Sequence, residues 1–388
     1  MTQSRVALTQ GADRRESILA ALDLVGDQIE WPSKQRVLVK PNFVSTERLL
    51  SATHVEAVRA VLDWLRPRYD GTIIVGEGTA TRNTWEAFAH FGYLSLPDEY
   101  PGVELRDLNS DDAATVRVFD RRLRPLSLQV ARTSLESDCR IAIGPPKMHD
   151  AVIVTLGLKN MIMGSLISRW ATSPPEDLSR CVPPTEDREE PGGGTRFGVA
   201  LAGRGLYANL PDWIKNLSLL EWIKAVYLSR SSGNDKQRMH QSLPLLNLNL
   251  FALAPQLHPH LNIIDGWQAM EGDGPTRGDA VEWRIAVASA DFLAADSLTA
   301  DLMGYPIETV GYLHYCHLAG LGAGALDEME IVGNVGPEDV RRTFRPSPTY
   351  RLQRRWQLSD AGRRLEDALR LNNSTPPVST VPVFTGPE

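Results

Sequence analysis

Apolar and polar positions along the chain follow two rhythms. Short runs with no polar face recur: "QRVLVKPN" (35–42), "GTIIVGEG" (71–78), "CRIAIGPPKMH" (139–149), "HLNIIDG" (260–266) and "WRIAVASAD" (283–291). Runs of this kind suit parallel strands covered on both faces. A weaker run, "LSLQVAR" (126–132), precedes the third. Between them lie helical patterns at 15–29, 53–69, 83–96 and 291–304. In the second, Val55, Val58, Val61, Leu62 and Leu65 make one apolar stripe. Strands alternating with helices predict an α/β fold, a mostly parallel sheet flanked by helices in a Rossmann-like, doubly wound arrangement.

Two regions break the rhythm. Residues 165–240 begin rich in Pro, Gly and charge, then turn helical at "LPDWIKNLSLLEWIKAVYLSR". This reads as an insertion or lid, whose Trp170, Trp213 and Trp222 would line an apolar pocket. Residues 345–388 read as a basic helix followed by an extended tail. The chain thus divides into 1–164 and 241–344, two parts of one α/β core, with 165–240 inserted and 345–388 appended.

Composition narrows the function classes. The 388 residues are 42% apolar and 23% charged, and the formal net charge is −7, which argues against nucleic acid as a partner. Cys139, Cys181 and Cys316 form no C-x-x-C pair, so neither a disulfide framework nor a cysteine-ligated iron–sulfur cluster is indicated. That usage fits the reducing cytoplasm. No secretory h-region opens the chain, and no apolar run is long enough for a membrane span. Nucleotide-binding fingerprints are absent: "GEG" is not G-x-G-x-x-G, and there is no G-x-x-x-x-G-K-[ST] loop. A homo-oligomer is left open.

The candidate chemistry sits where strands end. In order, the exits are Lys40-Pro41-Asn42, Gly76-Glu77-Gly78, Lys147-Met148-His149, Asp265-Gly266 and Asp291. In open parallel α/β sheets a ligand lies at the carboxyl ends of the strands, so five polar exits predict one crevice. Lys40 is held extended by the proline after it. Lys147 and His149, two apart on a strand, share a face. Beyond them a helical pattern would put Thr155 and Lys159 on one face, with Asn160 adjacent. Neighbouring lysines repel unless an anion lies between them, so the expected ligand is a small anionic molecule, a carboxylate or phosphate. Lys147, His149, Lys159 and Glu271 are the expected catalytic residues, with His149 as general acid/base and Glu271 or Asp265 as its partner. Lys40, Asn42, Glu77, Thr155, Asn160, His240, Asp265, Gly272 and Gly274 are expected to bind the substrate. A metal-dependent oxidoreductase or hydrolase is a second reading, with His54, His149, His240 and Asp265 as candidate ligands of a divalent metal, and a non-catalytic protein that binds an anionic ligand a third.

"VLVKPNFV", Thr53-His54, "GPPKMH", "TLGLKNMIMG", "MHQS", "IIDGWQAMEGDGP" and "AADSLTADLMGYP" occur in this order. Together they resemble the family called domain of unknown function 362, over roughly 36–164 and 240–333. Many relatives look like they carry ferredoxin-type cysteine clusters, which implies redox settings; this chain lacks such a cluster. The resemblance carries over Lys40, Asn42, His54, Lys147, His149, Thr155, Lys159, Asn160, His240, Asp265, Glu271 and Gly274 as motif residues.

Overall fold

A computed structural model describes residues 3–29, 36–80, 83–169 and 234–373. The strands are β1 (Ser4–Thr9), β2 (Val37–Lys40), β3 (Ile73–Glu77), β4 (Val103–Asp107), β5 (Ala113–Phe119), β6 (Pro125–Ala131), β7 (Cys139–Gly144), β8 (Lys147–His149), β9 (Ile153–Thr155), β10 (Leu261–Glu271), β11 (Asp279–Ser289) and β12 (Met329–Gly333). Along the main sheet the order is β12-β1-β11-β10-β7-β2-β3-β4, with β8 paired to β10 and β9 to β8. β10, β7, β2, β3 and β4 pair in parallel, as do β1 and β12. The chain is α/β, with a mostly parallel sheet that joins strands from before and after the 165–240 segment.

Both faces of the sheet are covered because alternate residues point opposite ways. Val37 and Val39 pack with Ala57, Val61 and Leu65 of the Val55–Leu65 helix and with Ile18 and Leu22 of the Arg14–Val25 helix. Leu38, between them, packs with Met161 of the Gly157–Ser165 helix on the other face. That second face also carries the Leu243–Leu257, Phe292–Leu302 and Gly311–Leu318 helices. Lys40 follows the parity of Leu38, so its side chain enters beneath the Gly157–Ser165 helix.

Three elements depart from the expected pattern. β11 runs antiparallel to β10 and β1, because the short 272–278 connection allows only a hairpin. Its end therefore lies at the opposite edge of the sheet from the other strand ends. Asp291 is not a crevice residue: it caps the Phe292–Leu302 helix, accepts from Ser4 Oγ at 2.7 Å, and takes the Ala323 N–H. The "LSLQVAR" run forms β6, which pairs with β5 in a hairpin separate from the main sheet. The helix after His149 starts later than its pattern predicts, because β9 intervenes. Thr155 therefore lies on β9 opposite Lys147, not one helical turn from Lys159.

At the C-terminal end, Tyr350–Gln353 and Asp360–Asn373 are helical. Residues 170–233, with Trp170, Trp213 and Trp222, and the tail from 374 lie outside the described residues. Among the described residues no helix is long and apolar enough to cross a membrane.

Candidate functional site

The β2, β3 and β7 exits converge on the N-terminal half of the Gly157–Ser165 helix. Lys40 Nζ donates to Glu77 Oε2 at 2.5 Å, Asn160 Oδ1 at 2.9 Å and Pro41 O at 3.0 Å. Asn160 Oδ1 also accepts from Asn42 Nδ2 at 3.0 Å. Lys147 Nζ donates to Asn42 Oδ1 and, at 2.8 Å, to Ser51 O. Asn42 is itself fixed: its N–H reaches Thr53 Oγ1, which donates to Ile143 O. Lys40, Asn42, Glu77, Lys147 and Asn160 thus form one buried polar chain.

Lys159 extends from the same helix to His149. Its Nζ lies 3.0 Å from His149 Nε2. The other ring nitrogen, Nδ1, accepts the Ala151 N–H at 2.9 Å. The direction of the Lys159–His149 bond follows the tautomer: with Nε2 protonated the ring donates to an uncharged amine, and with Nδ1 protonated the ammonium donates to Nε2. Protonating Nδ1 would exchange the Ala151 contact for the Asp150 carboxylate, 3.2 Å away.

Charge in this pocket of the fold is unbalanced. Burial lowers the Lys40 pKa and raises that of Glu77, while their mutual attraction opposes both shifts. Lys147, fully buried, is held well below the usual lysine range by desolvation and then by repulsion from Lys159. Lys159, 6% exposed, is brought down to about 8 by burial. Among the described residues no carboxylate lies in ion-pair contact with either. Two hydroxyls beside Lys147, Thr155 Oγ1 across the strand pair and Ser51 Oγ, are buried with no hydrogen-bond partner. Buried polar groups are ordinarily paired, so both hydroxyls can take a hydrogen bond from or to a ligand.

Residues outside the sequence expectations hold this arrangement. Asp296, on the Phe292–Leu302 helix, accepts the Gly157 and Leu158 N–H groups at 2.8 and 2.9 Å. It acts as an N-cap supplied from a neighbouring helix, and Asn262 Nδ2 braces it at 2.7 Å. Lys236 closes the other end, donating to Met163 O, Gly164 O and Leu166 O. Gly164 has no room for a side chain, since a β-carbon there would overlap Lys40 Nζ. Gln353 grips the β8–β9 turn: Nε2 donates to His149 O at 2.7 Å, and Oε1 accepts from Ile153 N. Ile153 has φ 69°, a strained conformation for a β-branched residue. The visible signals for these residues were single polar letters in apolar runs, Asn262 in "LNII" and Asp296 in "FLAADSL".

Several expected site residues are engaged elsewhere. Glu271 accepts the Arg345 N–H at 3.0 Å, and its carboxylate lies 3.8 Å from the Arg345 guanidinium. Asp265 pairs with Arg14 at 3.0 Å. The carboxylate beside His149 is therefore Asp150, and neither Glu271 nor Asp265 partners it. Gly272 adopts φ +78° against Arg345, and a β-carbon on Gly274 would overlap Met148 O, so the 272–278 loop backs β8. His54 Nδ1 caps the Val55–Leu65 helix, and its pKa falls to about 4, chiefly through burial. His240 Nδ1 meets Lys236 O at 2.8 Å. Among the described residues no three His, Cys, Asp or Glu side chains come together as a metal-binding group, so His54, His149, His240 and Asp265 do not assemble one.

The chain matches the family described as "Domain of unknown function (DUF362)" over residues 37–301. That span contains every residue of the buried chain from Lys40 to Asn160. No curated protein matches it. Among solved structures it is similar to the lactate racemase apoprotein from Thermoanaerobacterium thermosaccharolyticum, at 11% identity and a TM-score of 0.37. That alignment covers 75% of this chain and 55% of the other.

Proposed function

The chain belongs to the DUF362 family, and we propose that it is an enzyme that acts on a small anionic metabolite, a carboxylate or phosphate, by proton transfer. One observation carries the reading: among the described residues, Lys147 and Lys159 are buried without a carboxylate in ion-pair contact, near the unpartnered hydroxyls of Thr155 and Ser51. Burying an ammonium without a counter-charge costs several kcal/mol. An incoming anion supplies that charge and accepts hydrogen bonds from the two hydroxyls. Lys147, Thr155 and Ser51 bind the anionic group in this reading. Lys40 does not, since Glu77 already neutralises it. His149 moves the proton, with Lys159 and Asp150 on its two ring nitrogens.

The test is proton exchange. The protein is incubated in heavy water with a panel of small carboxylates and phosphate esters, and deuterium incorporation is followed by NMR. Exchange by the wild type that His149→Gln abolishes supports the reading. No exchange with any member contradicts the proton-transfer chemistry.

A further inference from the structure

We infer that Lys159 is an imine-forming nucleophile and that the anionic substrate is a 2-oxo carboxylate held through its carboxylate by Lys147. The inference rests on the anion reading above and adds the reacting bond.

The chain divides its basic residues by place. Of 41 lysines and arginines, only seven are lysines. Four of the seven, Lys40, Lys147, Lys159 and Lys236, lie among the described residues, and all four are buried around one helix. The others, Lys34, Lys215 and Lys224, lie outside the described residues. Exposed ion pairs fall to arginine instead, as at Arg15–Asp63, Arg124–Asp120 and Arg363–Asp360. Arginine is the stronger anion clamp, but it does not lose its proton in proteins. A site that needed only positive charge could use the residue this chain prefers elsewhere. Lysine adds one property, an amine that exists uncharged when buried.

Geometry then separates the four. Lys40 has Glu77, Asn160 and a carbonyl. Three carbonyls at a helix C-terminus hold Lys236. Lys147 has two oxygen acceptors. Among the described residues Lys159 has one hydrogen-bond partner, the His149 Nε2 at 3.0 Å, a nitrogen base rather than an oxygen acceptor. The ring can take the amine's proton as the lone pair is freed for attack, and burial lowers the cost of the uncharged amine. Lys147 and Lys159 are close enough to repel. Lys147 and His149 share one face of β8, and Lys159 Nζ lies 3.0 Å from His149 Nε2, so an anionic group on Lys147 sets its neighbouring carbon towards Lys159.

The step balances without a cofactor. Lys159 Nζ forms a C–N bond to the 2-oxo carbon, and that carbon's C–O bond breaks. The oxygen leaves as water, with one proton from the amine and one from solvent passed through His149. The protonated imine keeps the second amine proton. It withdraws electrons from the adjacent carbon, which makes a proton there removable.

Borohydride trapping tests this on the full chain. Pyruvate, oxaloacetate, 2-oxoglutarate and glyoxylate are each incubated with the protein and sodium borohydride, and lysine peptides are mapped by mass spectrometry. The expected result is one reduced adduct, on Lys159, with at least one of the four acids. It should fall about tenfold in Lys147→Met, the loss of one charge-assisted hydrogen bond. No adduct, an adduct on another lysine, or even labelling of all lysines overturns the inference. Thermal stabilisation by the same acids, read without borohydride, separates the two claims. Stabilisation without trapping removes the imine and leaves the anion site, whereas no stabilisation removes both. Lys159→Arg should keep the stabilisation and lose the adduct.

Discussion

Lys147 Nζ, fully buried, donates to the side-chain oxygen of Asn42 and to no carboxylate among the described residues. A neutral amide does not balance a charge, so this lysine is either uncharged or waiting for an anion.

Lys159 should make stability depend on pH. Its pKa lies near 8 in the folded chain against 10.5 as the ordinary value. Between those values the unfolded chain binds more protons, so stability rises with pH and the gain is complete above 10.5. Two and a half pH units correspond to about 3 kcal/mol. Urea unfolding from neutral to alkaline pH should show the wild type gaining on Lys159→Met by about that amount. Parallel curves would contradict the buried, depressed amine.

Gly164→Ala should reverse the usual effect of alanine in a helix. In an ordinary helix interior this change stabilises by about 1 kcal/mol. Here the new methyl group meets Lys40 Nζ and Glu77 Oε1. We expect a loss of about 2 kcal/mol from overpacking, read as a lower denaturant midpoint.

Asp296→Ala should loosen the helix that carries Lys159 and Asn160. Three donors lose their acceptor, the N–H groups of Gly157 and Leu158 and the Asn262 amide, at about 3 kcal/mol together. Burial raises the Asp296 pKa to about 6 from 3.8. The folded chain then binds the extra proton between those values, so wild-type stability falls as pH rises through that window. The gap between wild type and variant should therefore be wider near pH 4 than at pH 7.

Much of this site was legible because parallel strands deliver their ends to one edge. Lys40, Asn42, Glu77, Lys147, His149, Lys159 and Asn160 follow from short apolar runs and the polar letters after them. What was not legible depends on contacts between distant segments. Glu271 and Asp265 looked available because their arginines, Arg345 and Arg14, lie 74 and 251 residues away. Asp296 and Lys236 act on the helix from other elements, with no local periodicity to betray them. β11 read as one more buried strand because an apolar run carries no direction. Thr155 was misplaced because two three-residue strands are too short to show a period.

Gln353→Ala should weaken anion binding without touching the anion. It releases His149 O and leaves Ile153 N unpaired in a strained turn, at about 2 kcal/mol of stability. Lys147 and His149 ride on that turn. The measurement is the anion-induced shift in Tm, which should shrink although both residues remain.

The central claim, that an anion completes the buried charge at Lys147, is tested most directly by calorimetric titration. Phosphate, pyruvate and other small carboxylates are titrated into wild type, Lys147→Met and Thr155→Val. We predict saturable binding of at least one anion by the wild type, lost in Lys147→Met and weakened about tenfold in Thr155→Val, the cost of one hydrogen bond. Binding that survives unchanged in Lys147→Met, or no binding of any of these anions by the wild type, would contradict it.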